Sequence, residues 1–123
     1  MIGKAYILKS CSTCKRILKG AKEFGRLEVV DIKEKPLSIE VIDCLAKKAG
    51  SYEAIFNKQS KKYREKGLAH KELSEEDIRT HIIGEYTFLK RPIFLIDDMI
   101  FIGNSNKSVT SLMNYLNMKY RQQ

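Results

Sequence analysis

The chain has 123 residues, of which 43% are hydrophobic and 31% charged, and its formal net charge is +8. A chain of this length and composition can bury a core by itself, so we expect one globular domain rather than a disordered segment. No apolar run approaches the roughly 20 residues of a membrane span, and residues 1–10 are too short and too mixed for a signal peptide. We therefore expect a cytoplasmic protein without a membrane partner.

The first strand, helix and second strand are predicted within residues 5–32. Residues 5–8 form a short apolar run, and residues 27–32 form a β-branched one. Between them an amphipathic helix begins at Thr13 and stops at Gly25. Its apolar side chains recur at helical spacing and comprise Ile17, Leu18, Ala21 and Phe24. A strand, a helix and a strand in this order imply a parallel, right-handed crossover.

The middle of the chain is predicted to be mainly helical. Ser38 offers an N-cap for a helix that Gly50 ends, and residues 52–56 suggest a helical turn. Residues 57–71 have no clean period and predict no element. Ser74 and Asp77 have the spacing of a capping box, which predicts a helix through about residue 83.

The last third predicts a β-hairpin followed by a helix. Pro92 precedes an apolar run at residues 93–96, a turn at residues 97–98 and a second run at residues 99–102. Apolar residues at helical spacing continue through residues 109–120. The predicted order is β-α-β, a helical insertion at about residues 37–90, then β-β-α, all within a single domain of residues 1–123.

Two cysteines stand three residues apart at the predicted start of the first helix. A thiolate on Cys11 would meet the unpaired N–H groups of that helix and the nearby charges of Lys9, Lys15 and Arg16, which lower a thiol pKa. Cys11 is therefore the candidate nucleophile and Cys14 the candidate resolving thiol. Two alternatives stay open: half of a zinc site, which needs four ligands, and a pair of inert thiols.

The remaining cysteine and the two histidines are not assigned to the site. Cys44 lies beside the apolar stripe of its helix, where we expect a small buried side chain. His70 and His81 have no adjacent acid to orient them and are interpreted as surface residues, and we predict no metal site. A chain with three cysteines, two of them this close, suits a reducing compartment.

The positive charge is interpreted as a solvated surface that can attract anionic substrates or acidic partners. Basic residues run from Lys4 to Arg121 and are interleaved with acidic ones. Nucleic-acid binders concentrate their charge on one face, so we expect no direct binding of nucleic acid. We also expect a monomer.

Four motifs stand out along the chain: Cys11-x-x-Cys14, Phe56-Asn57 followed by Tyr63-Arg64, Lys90-Arg91-Pro92-Ile93, and Ile102-Gly103-Asn104. Together they resemble the arsenate reductase (ArsC) family, including its Spx-like and YffB/YusI-like branches. The resemblance spans nearly the whole chain, from residue 5 to about residue 116. It implies an α/β, thioredoxin-like fold with a mixed four-stranded sheet flanked by helices.

The resemblance also implies how the site is built. Pro92 should be cis and stand beside the cysteine loop, with the Arg91 guanidinium near Cys11, where it would hold a thiolate or an oxyanion. Arg91 is therefore a candidate catalytic residue. Ser12, Thr13 and Pro92 are the candidate substrate-binding residues.

The family's arsenate pocket is matched only in part. Of its three arginines, one aligns with Arg91, a second with Asn57, and the third with Gly103 or Asn104. The pocket would lose two of its three charges, which argues against arsenate as the substrate.

The resemblance therefore predicts a thiol-dependent oxidoreductase. It would act on a small thiol, an oxyanion or a redox protein, with glutathione or thioredoxin as external reductant and no bound cofactor. The alternative is an Spx-like redox-switched transcription regulator that binds the RNA polymerase α-subunit.

Overall fold

The structure is a computed structural model that describes Met1 and residues 3–121. The chain forms two compact units. Unit 1 comprises the described residues of Met1–Lys35 and Arg91–Gln123, and unit 2 is Pro36–Lys90. Unit 2 covers nearly the same residues as the predicted insertion, while the assignment of the whole chain to one domain stays a prediction.

Unit 1 is built on a mixed four-stranded sheet. Its strands are β1 (Gly3–Ile7), β2 (Glu28–Asp31), β3 (Ile93–Ile96) and β4 (Met99–Ile102), in the order β2-β1-β3-β4. β1 runs parallel to β2 and antiparallel to β3, and β3 and β4 form the hairpin. The predicted strand order in the chain and the mixed sheet are confirmed.

Five α-helices lie along the described chain. They are α1 (Ser12–Lys22), α2 (Ile39–Ala49), α3 (Lys61–Glu65), α4 (Glu75–Gly84) and α5 (Asn106–Tyr120). α1 and α5 belong to unit 1, and α2 to α4 belong to unit 2. Among the residues that the structure describes, no helix is both long enough and apolar enough to cross a membrane.

The core of unit 1 lies between one face of the sheet and the two helices of that unit. Ala5, Ile7, Phe94 and Ile96 project from that face. They pack against buried residues of α1 and α5, which include Cys14, Ile17, Leu18, Ala21, Leu112 and Leu116. Because α1 contributes a full apolar stripe, its first turn is held firmly at the end of β1.

Unit 2 has its own apolar centre, and two of its helices begin with caps that the sequence predicted. The Phe56 and Phe88 rings lie 5.4 Å apart, and both side chains are buried. Ser38 caps α2, and Ser74 with Asp77 forms the predicted capping box of α4. Gly50 ends α2 with φ 101°, a left-handed conformation that favours glycine.

Two features of unit 2 differ from the sequence predictions. Cys44 is exposed, so its expected burial is wrong. At 100° per residue, position 44 points about 160° away from Ile42 around α2, and therefore leaves the stripe it adjoins. α3 and a single 3₁₀ turn at Leu68–His70 lie in the segment where no element was predicted.

Candidate functional site

Cys11 is the N-cap of α1. Its N–H donates to the Leu8 carbonyl at 2.9 Å, which closes the turn after β1, and its backbone is extended with φ −96° and ψ 109°. Its Sγ accepts a hydrogen bond from the Cys14 N–H at 3.4 Å. The sulfur therefore occupies the place that a serine or aspartate oxygen usually fills at a helix start.

The two thiols of the motif have different surroundings. Cys14 is fully buried in the core of unit 1, while Cys11 is partly exposed. Both are free thiols. Cys11 is thus the sulfur that a reagent in solution can reach first.

The pKa of Cys11 lies below its ordinary value. Partial burial by itself raises this pKa, but hydrogen bonds with the Cys14 N–H, the Cys14 side chain and the Thr13 N–H, together with the charge of Arg91, outweigh it. Such donors stabilise the thiolate because they point at the sulfur before it ionises. The helix start predicted from the sequence is therefore the main source of the shift.

The pKa of Cys14 moves in the opposite direction, to about 11. Burial is the largest cause, and the hydrogen bond with the Cys11 sulfur and the Cys11 charge add to it. The Leu8 backbone and Arg91 act against the rise. One thiol is thus prone to ionise while its neighbour keeps its proton.

Arg91 and Pro92 join β3 to the site. The Arg91–Pro92 peptide bond is cis, as the resemblance implied, and Pro92 is fully buried. The Pro92 carbonyl accepts a hydrogen bond from the Gly103 N–H at 2.8 Å, which ties this segment to the end of β4. The Arg91 charge lowers the pKa of both cysteines, so its guanidinium acts on the thiols electrostatically.

The other predicted site residues border Cys11 in the first turn of α1. Ser12 is exposed, and Thr13 is half-buried and contributes its N–H to the sulfur. Their role in binding a substrate stays a prediction. Lys9, expected to act on Cys11, forms an ion pair with Glu34 at 3.5 Å.

The positions aligned with the missing arginines have local structural roles. Asn57 donates to the Thr87 carbonyl at 3.0 Å and accepts from the Gln59 N–H at 3.0 Å, so its amide orders the loop before α3. Gly103 has φ 84°, where an arginine would be strained. At these two positions the chain has residues that serve the local backbone conformation, in place of positively charged side chains.

One contribution to the site has no signal in the sequence. Leu8 receives the Cys11 N–H on its carbonyl, and its backbone lowers the pKa of Cys14. Because any residue supplies these backbone atoms, its identity as leucine indicates only a buried end of β1. Among the described residues, no group of three or more His, Cys, Asp or Glu side chains is arranged to hold a metal ion.

Both the sequence and the fold are similar to those of known proteins. A sequence profile described as the ArsC family matches residues 6–112. No curated protein matches the chain.

Several solved structures share the fold over most of their length. An arsenate reductase from Vibrio cholerae superposes with a TM-score of 0.77 at 17% identity, covering 93% of this chain and 97% of that one. An ArsC-related protein from Brucella melitensis gives 0.68 at 18% identity, covering 90% and 93%. The protein SACOL0876 from Staphylococcus aureus gives 0.73 at 26% identity, covering 89% and 97%.

Proposed function

Since the profile match covers most of its length, the chain belongs to the ArsC family, and we propose that it is a thiol-dependent oxidoreductase with Cys11 as nucleophile. One observation carries the proposal: the Cys11 sulfur caps α1 and has a lowered pKa, beside a buried Cys14 whose pKa is raised to about 11. This difference in pKa favours Cys11 as the attacking thiolate and keeps Cys14 protonated until the second step.

The first step is attack of the Cys11 thiolate on a disulfide of the substrate. A bond forms between the Cys11 sulfur and one substrate sulfur, and the other substrate sulfur leaves as a thiolate. The Thr13 and Cys14 N–H groups and Arg91 hold the negative charge on Cys11 before attack. The positive charge of Arg91 also stabilises the thiolate that leaves.

The second step is resolution by Cys14. Two causes of its high pKa, the hydrogen bond with the Cys11 sulfur and the Cys11 charge, require Cys11 to be a free thiolate. Once Cys11 is in a mixed disulfide, both are removed and Cys14 loses its proton more readily. Its thiolate then attacks the Cys11 sulfur, forms the Cys11–Cys14 disulfide, and releases the second half of the substrate as a thiol.

An external thiol completes the cycle. Two molecules of glutathione, or one dithiol of thioredoxin, supply the two electrons that return the pair to the reduced form. The cycle needs no bound cofactor. Arsenate is not the proposed substrate, because only one of the family's three arginines is matched in this chain, by Arg91.

The decisive experiment is the rate of Cys11 alkylation as a function of pH. It is made in a Cys44→Ser background, because Cys44 is an exposed thiol that would also react. The midpoint should lie below the ordinary thiol value of about 8.5 and should rise in Arg91→Ala. Arg26→Ala, which removes an exposed arginine beyond the far end of α1, is the matched control and should not shift the midpoint.

Trapping and turnover complete the test. Mass spectrometry should find a reversible Cys11–Cys14 disulfide after reaction with a small disulfide, and a stable mixed disulfide in Cys14→Ala. A midpoint near 8.5 with no disulfide would refute the proposal. Negligible turnover together with oxidation-dependent binding of the RNA polymerase α-subunit would instead favour the redox-switched regulator.

A further inference from the structure

The exposed side of α1 carries a row of cations that starts at the nucleophile. Lys15, Arg16, Lys19 and Lys22 are all exposed, and α1 contains no acidic residue. Among the described residues none of these four side chains has an ion-pair partner. We call these four residues the α1 basic row.

Helix geometry aligns the three lysines of this row with the reactive sulfur. Cys11, Lys15 and Lys19 follow one another at spacings of four residues, and Lys22 follows three residues later. Residues at these spacings share one face of a helix. Helical side chains also lean toward the N-terminus, so the ammonium groups are inclined toward the Cys11 end of the row.

Of the described helices α1 carries the most basic residues, while α3 combines Lys61, Lys62 and Arg64 with Glu65. α2 combines Glu40 and Asp43 with Lys47 and Lys48, and α4 opens with Glu75, Glu76 and Asp77. In α1 the core residues Cys14, Ile17, Leu18 and Ala21 occupy the adjoining side of the helix. The row is therefore a separate, one-sided surface whose head is the N-cap sulfur.

The length of the row indicates the size of the partner. From Cys11 to Lys22 the helix rises by about 17 Å. A fully extended tripeptide spans at most about 11 Å, so glutathione bound at Cys11 would not extend along the helix as far as Lys22. A polypeptide that crosses α1 would cover all of them.

We propose that the α1 basic row docks an acidic polypeptide substrate or reductant, whose cysteine it presents to Cys11. The inference rests on the proposed function and adds its partner class. A polypeptide is favoured over a nucleic acid because the row leads to a thiolate that exchanges with sulfur, which proteins carry in their cysteines. Charge complementarity along the row would raise the local concentration of such a partner.

The test uses two synthetic peptides with a central cysteine in a mixed disulfide with thionitrobenzoate. One has glutamates on both sides of the cysteine, and the other has glutamines. Attack by Cys11 forms a bond to the peptide sulfur and releases the coloured thionitrobenzoate anion, so the rate can be followed directly. All proteins carry Cys44→Ser, as above.

The measured quantity is the ratio of the two rate constants, glutamate peptide over glutamine peptide. It should be about tenfold or more at an ionic strength of about 0.01 M and should fall toward one at about 1 M, where charges are screened within about 3 Å. The double variant Lys19→Gln/Lys22→Gln should lower the ratio at low salt. The matched control Lys47→Gln/Lys48→Gln, on α2, should leave it unchanged.

Each of the other outcomes refutes the docking proposal, and one of them refutes the proposed function as well. A ratio near one in the parent protein, or one unaffected by the Lys19→Gln/Lys22→Gln change, refutes docking on the row while leaving the proposed function intact. A ratio near one combined with oligonucleotide binding that this change abolishes assigns the row to nucleic acid. Failure of both peptides to react, in a folded protein, refutes the proposed function and this inference with it.

Discussion

At the scale of single residues, the reactivity of Cys11 depends on backbone atoms more than on neighbouring side chains. The Cys14 N–H is the largest of the causes that lower its pKa, followed by the Cys14 side chain, the Thr13 N–H and the charge of Arg91. Backbone donors are supplied by any residue except proline. A proline substitution can therefore remove a donor that an alanine substitution leaves in place.

Thr13→Pro should raise the Cys11 pKa, because it removes one N–H that stabilises the thiolate. Proline is tolerated in the first turn of a helix, so α1 should still form. We expect alkylation of Cys11 at neutral pH to slow by about threefold or more, since the thiolate is the attacking species. Thr13→Ala keeps the N–H and is the matched control.

Two results would contradict this explanation of the Cys11 pKa. One is an unchanged alkylation midpoint in Thr13→Pro when circular dichroism shows intact helix content. The other is an equal shift in Thr13→Ala, which would assign the effect to the threonine side chain. In either case the N–H of residue 13 would not be the source of the lowered pKa.

At the scale of elements, the capping box of α4 satisfies N–H groups that a helix start leaves without a partner inside the helix. Ser74 Oγ accepts from the Asp77 N–H at 3.1 Å, and Asp77 accepts from the Ser74 N–H at 3.0 Å. The pKa of Asp77 is lowered, first by the Ser74 backbone and then by the Ser74 side chain. The carboxylate thus contributes to the helix start in its ionised form.

Ser74→Ala should lower the free energy of unfolding by about 1 kcal/mol, the usual effect of removing a helix N-cap. Urea unfolding at neutral pH measures it. Ser111→Ala makes the same chemical change at an exposed position inside α5 and should be neutral or slightly stabilising, because alanine is the better helix former. Equal effects of the two substitutions would show that the cap does not stabilise α4.

The elements that the sequence predicted are those with strong local signals. The Ser74 box, the Ser38 cap and the short apolar runs of the hairpin are local, so each could be assigned without the rest of the chain. α3 was missed because its five residues, Lys61–Glu65, contain no apolar period. Its start depends on Ser60, whose hydroxyl is hydrogen-bonded to Thr87, 27 residues later in the chain.

The candidate site shows the same division between local and distant signals. The helix start at the cysteines could be predicted because the apolar period of α1 begins just after them. The cis bond before Pro92 and the approach of Arg91 came from the family resemblance, since residues eighty positions apart in the chain carry no shared periodic signal. The exposure of Cys44 depended on its angle around α2, which an apolar neighbourhood in sequence does not give.

At the scale of the whole molecule, acid should weaken unit 2 through its paired carboxylates. In unit 2, Asp43 accepts from Arg79 Nε at 2.8 Å and from the Tyr52 hydroxyl at 2.6 Å, which connects α2, the following turn and α4. Arg79 first and Tyr52 second hold the pKa of Asp43 below its ordinary value. The lowered pKa of Asp77 also belongs to unit 2.

Stability linked to Asp43 should therefore be lost on acidification. A carboxyl whose folded pKa is depressed binds fewer protons in the folded than in the unfolded protein within the window between the two pKa values. Its contribution is fully present above the unfolded value of about 3.9 and disappears as pH falls through the folded pKa. Asp43→Asn should thus destabilise the protein at neutral pH, and the difference from wild type should shrink in acid.

Native-state hydrogen exchange locates this loss within the molecule. Amides of α2 and α4 should lose protection in Asp43→Asn at neutral pH before those of β1 and β3, because the broken contacts join helices of unit 2. In an Arg79→Gln background the Asp43→Asn change should have little further effect, since the main partner is already gone. A uniform loss of protection over both units would mean that they unfold together, and that the Asp43 contacts stabilise the chain as one cooperative body.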